Sequence, residues 1–198
     1  MNSDLLPYFP LGVVILPGEL TNLHIFEPRY KQLINECRIS DNNFGIPFIF
    51  NNKIADFGCE VKLNTVIETN DEGEMDIEIE GIRIFKITNF QNPIPNKLYG
   101  GGNVVFFRTV GHDIDHELND YFRWFVTIIT SNKKRLPDDK KYTIYEIAEA
   151  LNLLQQDKYR FINCLSATAM RIFLMNYMKL QLEIKSRAKE LNQNYVNN

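Results

Sequence analysis

Apolar and polar positions alternate along the first hundred residues in short runs broken by turn formers, and this pattern predicts β-structure with a single helix inserted early. A run from Leu11 to Leu16 stops at Pro17-Gly18, a second apolar segment reaches Phe26, and Pro28 stands where a helix begins. Proline suits the first helical position because its missing N–H would have had no intrahelical partner there. Tyr30, Leu33, Ile34 and Cys37 then fall at i, i+3, i+4 and i+7, one apolar helix face that must be buried. The expected order is strand, turn, strand, helix. Further strands are expected at Phe44–Phe50, Val61–Ile67, Met75–Ile87 and Val104–Val110, separated by Asn, Gly and Pro clusters. In the Met75 run, Met75, Ile77 and Ile79 alternate with Asp76, Glu78 and Glu80, giving one apolar and one acidic face. Gly81 then shifts the apolar positions to Ile82 and Ile84, as a bulge would. Asn70-Asp71-Glu72-Gly73 supplies the turn of a hairpin. A long bent strand of this kind suits a barrel.

From Ile114 onward the period changes to about 3.6, and no glycine follows Gly111. Leu118, Phe122, Phe125, Val126 and Ile129 mark one helix face, and Ile144, Ile147, Ala148 and Leu151 another, with Thr143 as its N-cap. Leu136–Lys141 is a polar linker between them. A terminal helix from Ala167 to Asn192, capped by Ser166, would be about 39 Å long. Its stripe holds Met170, Phe173, Leu174, Tyr177, Met178, Gln181, Ile184, Ala188 and Leu191. The expected division is a β domain over residues 1–112 and a helical bundle over 113–198.

Composition narrows the function. The 198 residues, 44% apolar, suffice for a substantial core. A net charge of −3 disfavours nucleic acid as a partner, since phosphate backbones call for a basic surface. No segment approaches the roughly 18 apolar residues of a membrane span. The opening residues lack the charge and apolar length of a secretory signal, so a cytoplasmic protein is expected. Cys37, Cys59 and Cys164 are odd in number and far apart, which fits buried thiols better than a disulfide framework or a zinc site.

Candidate chemistry is sparse. No phosphate-cradling GxxxxGK loop is present, and Gly100-Gly101-Gly102 reads as a tight turn followed by a strand. His112 to Asp120, HDIDHELND, resembles two zinc patterns and completes neither; its plainer reading is an acidic helix start. The three histidines and three cysteines select no nucleophile pair, and no cofactor is expected.

The stretch FPLGVVILPGELTNLHIFEPRY, Phe9 to Tyr30, resembles the opening of the N-terminal domain of Lon proteases, especially its stand-alone bacterial versions. EGIRIFKI, Glu80 to Ile87, is similar to a second block of that family, and weaker likeness runs through Phe44–Phe50 and Ala150–Glu183. The resemblance implies an α+β fold: an N-terminal PUA-like β-pseudobarrel with one inserted helix, followed by an α-helical bundle ending in a long helix. It implies non-catalytic recognition of protein substrates, unfolded polypeptides or degrons, without the ATPase and serine-lysine peptidase parts of the full enzyme. Partners would be unfolded or tagged polypeptides, a larger protease, or a second copy docked through the terminal helix. The alternative is a small-ligand or RNA-binding PUA-like module. His24, Glu27, Arg29, Tyr30, Glu80 and Arg83 are the candidate residues. Two readings stay open for them: a charged network pinning the helix to the barrel, or the lining of a peptide groove.

Overall fold

The computed structural model describes residues 5–107, 114–131, 133 and 135–196, with side chains up to residue 190. The described part forms two compact units, one holding the residues up to 107 together with Leu153–Asn163, the other holding those from 114 to 152 and from Cys164 onward. The expected domain boundary at 112/113 lies outside the described residues.

The first unit contains seven strands: β1 (Leu6–Tyr8), β2 (Leu20–Ile25), β3 (Phe44–Phe50), β4 (Lys53–Thr69), β5 (Met75–Ile87), β6 (Gly100–Gly102) and β7 (Val104–Phe106). Hydrogen-bonded neighbours follow the order β2-β5-β4-β3-β1-β6, and β7 pairs with β5. β6 and β7 are two halves of one segment divided at Asn103, so this segment ties β1 to β5 and brings the sheet around on itself. That closure makes the pseudobarrel. Most pairs are antiparallel; β1 and β3 run parallel at Tyr8↔Gly45. Phe85 is fully buried inside, stacked on Tyr8 with ring centroids 5.8 Å apart. Its ring needs the space of two missing side chains, because a Cβ on Gly45 would meet it at 2.9 Å and one on Gly58 at 2.7 Å.

The Asn70–Gly73 turn closes the β4–β5 hairpin as expected, with the Asn70 side-chain oxygen accepting from the Glu72 and Glu74 N–H groups. The expected bulge is also present: Glu60 pairs with Arg83 but Val61 with Gly81, leaving Ile82 as the extra residue. Gly81 is packed under the Pro17-Gly18 turn, where a Cβ would come within 2.1 Å of the Leu16 carbonyl oxygen.

Helix α1 (Pro28–Ser40) starts with Pro28 in its first turn and buries Tyr30, Leu33, Ile34 and Cys37. Each large apolar side chain so buried contributes about 1.5–3 kcal/mol. Lys31 adds a bond from its Nζ to the Glu72 carbonyl, 2.9 Å, tying α1 to the hairpin turn.

Two expectations are corrected. Leu11–Leu16 is not a strand, although Val14, Ile15 and Leu16 are buried. Leu11 alone makes a parallel bridge, to Phe48 of β3; further along, side chains take the place of a ladder, with Val14 N–H donating to Gln155 Oε1 at 2.7 Å and Leu16 N–H to Glu19 Oε2 at 2.9 Å. The Gly100–Gly102 cluster is strand β6, not a tight turn, because a side chain there would strike neighbouring backbone, 1.9 Å from the Asn89 carbonyl oxygen at Gly102. The last expected strand extends over Val104–Phe106, and its remainder from 108 lies outside the described residues.

Helix α4 (Gln155–Ile162) completes this unit. Tyr159 packs on the Phe48 ring at 5.1 Å, and Lys158 reaches Glu19.

The second unit consists of α2 (His116–Ile129), α3 (Ile144–Ala150) and α5 (Ala167–Val196). Asp115 caps α2 by accepting from Leu118 N–H, and Arg171 engages both Asp115 and Glu117. Those acids therefore begin a helix; His112 lies outside the described residues. Thr143 and Glu146 form a reciprocal capping box on α3. Ser166 caps α5, accepting from Ala169 N–H at 3.2 Å. Cys164 is half-buried in the short connection between α4, which ends at Ile162, and the Ser166-capped start of α5. Along α5 the stripe is buried at Met170, Leu174 and Met178, and beyond Gln181 it is exposed at Ile184 and Ala188. Lys185 donates to the Ile128 and Ile129 carbonyls, both at 2.8 Å, placing a cation at the negative end of α2.

Candidate functional site

The sequence-selected residues fall on three parts of the barrel unit. His24 lies on β2, directly opposite Asp76 of β5, and its Nδ1 donates to that carboxylate at 2.8 Å. Glu27 is the N-cap of α1, but its side chain makes no capping bond and turns to Arg29, 2.8 Å from Nε and 2.7 Å from Nη2. The Arg29 guanidinium lies over the Tyr30 ring, which packs in turn against Phe9 at 4.0 Å. Arg29 and Tyr30 line a small cleft of about 140 Å³ with Tyr8, Ile49, Phe90 and Asn92. The Tyr8 hydroxyl is buried there with no hydrogen-bond partner among the described residues.

Arg83 stands elsewhere, on β5 beyond the bulge. It pairs with Glu60 of β4 and lies over the Phe106 ring, 3.6 Å from its centroid. Glu60 is buried and also accepts from Asn43 at 3.3 Å. A guanidinium held on both sides in this way is fixed in orientation, with a buried carboxylate supplying the counter-charge. Leu6, Val104, Phe106, Asn42 and Asn43 surround the pair and line an open cleft of about 600 Å³. Strands β1, β4, β5 and β7 and the turn after α1 all contribute to its lining. Its size and mixed lining suit a small organic group or a peptide side chain.

The two sequence blocks are not joined by side-chain charges. Glu27 pairs with Arg29 and Arg83 with Glu60, while Glu80 enters none of these ion pairs among the described residues. Backbone pairing of β2 with β5 joins the blocks instead.

Residues outside the candidate set build a further polar cluster. Glu36 of α1 accepts from Lys97 at 2.7 Å, from the Tyr99 hydroxyl at 2.5 Å and from Gln32 at 3.0 Å. Gln32 also accepts from Leu98 N–H at 2.9 Å, so one helix face clamps the Lys97–Tyr99 loop. Burial alone would raise the Glu36 carboxyl, but the hydrogen bonds from Lys97, Tyr99 and Gln32 outweigh it and hold the group below the usual range. Burial, reinforced by Glu36, pushes the Cys37 thiol up to about 11, and Cys59 also rises through burial. Neither suits a nucleophile, which needs a thiolate near neutral pH. Among the described residues no cluster of His, Cys, Asp and Glu could hold a metal, and no helix is long and apolar enough to cross a membrane.

A pseudobarrel with one inserted helix and a long terminal helix is the architecture of Lon N-terminal domains. The Lon N-terminal domain protein from Xanthomonas campestris superposes with a TM-score of 0.64 over 82% of this chain and 92% of that one, at 21% identity. The N-terminal domain of the Mycobacterium avium complex Lon protease does so at 0.53 over 92% and 98%, at 11% identity. The family model of the ATP-dependent protease La (LON) substrate-binding domain matches residues 5–195, and the chain belongs to this family. A search of curated proteins found no match.

Proposed function

We propose that this protein recognises protein substrates without catalysis, taking up segments of unfolded polypeptide or exposed degrons. The observation that carries the reading is membership of the substrate-binding domain family over residues 5–195. Exposed apolar side chains on the barrel unit support it, among them Leu20, Phe26, Ile39, Ile67 and Leu98. Scattered apolar contacts of this kind suit a sequence-tolerant binder of many chains. The cytoplasm is the proposed compartment, where the three thiols stay reduced.

Titration of the full chain with one labelled protein, reduced and unfolded or native, tests the reading. Binding of the unfolded form at about micromolar strength or weaker is expected, since a small surface must offset the ordering entropy of a flexible chain. The preference should survive moderate salt, and neither ATP nor casein should be turned over. Equal affinity for folded and unfolded protein sinks the reading. The exposed α5 stripe beyond Gln181 is the proposed contact to a larger protease or a second copy, and a chain truncated after Gln181 should lose that association.

A second reading, a small-ligand module, draws on the 600 Å³ cleft around Arg83 and Phe106. It calls for a compound whose stabilisation of the fold disappears in Phe106→Ala. RNA stays disfavoured at a net charge of −3.

A further inference from the structure

Among the described residues, strand β2 has no partner strand on its outer edge. The Gly81 N–H donates to the Glu19 carbonyl at 3.0 Å. From there the β2–β5 register runs without a shift from Leu20↔Glu80 to Ile25↔Met75. Bonds in an antiparallel ladder recur at every second residue. Thr21, Leu23 and Ile25 therefore turn their N–H and C=O groups to β5, and Leu20, Asn22 and His24 turn theirs away from the sheet. β2 ends the strand order, and among the described residues no strand pairs with its outer side. Natural sheets blunt such edges with prolines, lysines, bulges or a covering element. β2 carries no proline, lysine or register shift. The free edge of β4 differs, with register shifts after Leu63 and Val66. Leu20 and Phe26 at the two ends of β2 are each 57% exposed.

The face beside this edge is acidic. Glu80, Glu78 and Asp76 of β5 lie directly opposite Leu20, Asn22 and His24, and Glu68 of β4 lies opposite Asp76. Glu74 adds a carboxylate 3.8 Å from His24. Lys62, opposite Glu80, is the one lysine among these partners. Strands are spaced about 4.7–4.9 Å apart, so a strand added to β2 would lie about 10 Å from β5. A lysine or arginine side chain leaning over β2 covers part of that gap, and a glutamate or aspartate side chain leaning toward it covers the rest.

We infer that the outer edge of β2, Leu20 to Ile25, is a strand-addition site for extended polypeptide segments carrying lysine or arginine at alternate positions. Backbone bonds to Leu20, Asn22 and His24 give sequence-tolerant attachment, and the carboxylates of Asp76, Glu78 and Glu80 select basic segments. The inference rests on the substrate-recognition reading and names the class of segment taken. A second copy fits the edge poorly, because β2 against β2 would bring two acidic faces together.

The test uses the full chain and a fluorescein-labelled ten-residue peptide alternating lysine with threonine, followed by anisotropy. Controls are the same peptide with glutamate for lysine and the lysine peptide N-methylated along its backbone. The lysine peptide should bind at least tenfold more tightly than either. Asn22→Pro removes an outward N–H without touching the β5 ladder, and should weaken binding at least tenfold. The double substitution Asp76→Lys with Glu78→Lys should reverse the charge preference. Equal binding of lysine and glutamate peptides, or of methylated and unmethylated ones, overturns the inference, and the methylation arm decides even where Asn22→Pro fails to fold. A concentration-dependent dimer abolished by Asn22→Pro, without peptide binding, assigns the edge to a second copy and also overturns it. Capture of unfolded protein that persists in a folded Asn22→Pro variant overturns the edge but leaves substrate recognition standing. Loss of the unfolded-over-folded preference in the unaltered chain falls on the recognition reading alone, since the peptide arms read the edge directly.

Discussion

The Lys158 ammonium lies 2.8 and 3.0 Å from the two carboxylate oxygens of Glu19, across 139 residues of chain. The side chains are only 9% and 15% exposed, and Glu19 also accepts from Leu16 N–H. One ion pair thus fixes α4, the turn before β2 and the buried Leu11–Leu16 segment together.

Lys158→Met strands the Glu19 carboxylate with little water and should cost about 3–5 kcal/mol. Adding Glu19→Gln to that background should recover part of the loss, because the uncompensated charge is then gone. Urea melts of the two single variants and the double variant measure the coupling; additive losses would show that the pair does not act as a unit.

Glu36 makes stability depend on pH. Its carboxyl is held below the usual range in the folded protein by Lys97, Tyr99 and Gln32 against the opposing effect of burial. A group with a depressed folded pKa contributes stability above its unfolded value, about 4.3 for glutamate, and loses it as pH falls through the folded value. Denaturant midpoints should therefore drop on acidification below about pH 4.5, and Glu36→Gln should flatten that slope. An unchanged slope would remove Glu36 from the acid response.

Leu33 is fully buried on the inner face of α1. Leu33→Ala should cost about 2–5 kcal/mol in a denaturant melt. A loss below about 0.5 kcal/mol would mean that the helix does not depend on that contact.

Gly81→Ala places a methyl group 2.1 Å from the Leu16 carbonyl oxygen. Backbone cannot swing aside as a side chain can, so the Pro17-Gly18 turn must shift. The expected loss is about 1–3 kcal/mol, read from a thermal or urea melt. Gly73→Ala should act through backbone conformation alone, because no atom lies within 4 Å of its added Cβ and its φ is +72°.

Where partners are near in sequence, the pattern of residues gives the structure directly. The α1 face, the β4–β5 hairpin, the bulge after Gly81 and the caps at Thr143 and Ser166 follow from spacing within a dozen residues. Leu11–Leu16 looks like a strand because burial and ladder pairing leave the same apolar pattern, yet its pairing stops at the Leu11 bridge to Phe48, and the Val14 and Leu16 N–H groups go to the side chains of Gln155 and Glu19. Arg83 was a visible candidate, but its partner is Glu60 and not Glu27 or Glu80. Counting outward from the first ladder pair, Thr69↔Met75, puts Glu60 opposite Ile84, one residue from Arg83, and the net shift of the bulges supplies the remaining step. Asn119, buried on α2 and bonded to the Tyr142 backbone at 2.7 and 2.8 Å, has no local signal because its partner is 23 residues away. Glu36 is equally silent in the sequence, since Lys97 and Tyr99 arrive from a loop more than 60 residues later.

The return of α4 to the barrel sets an order on biosynthesis. All seven strands have been synthesised by Phe106, while Gln155, Lys158 and Tyr159 are still unmade. At about 5–20 residues per second, the nascent chain spends roughly 2–10 seconds with its last barrel strand complete and α4 still to come. During that interval the Val14 backbone, the Glu19 carboxylate and the Phe48 ring lack the contacts that α4 later provides to them. The barrel is finished from a distance, and a stall between residues 107 and 153 would leave a sticky intermediate open to the cell's chaperones.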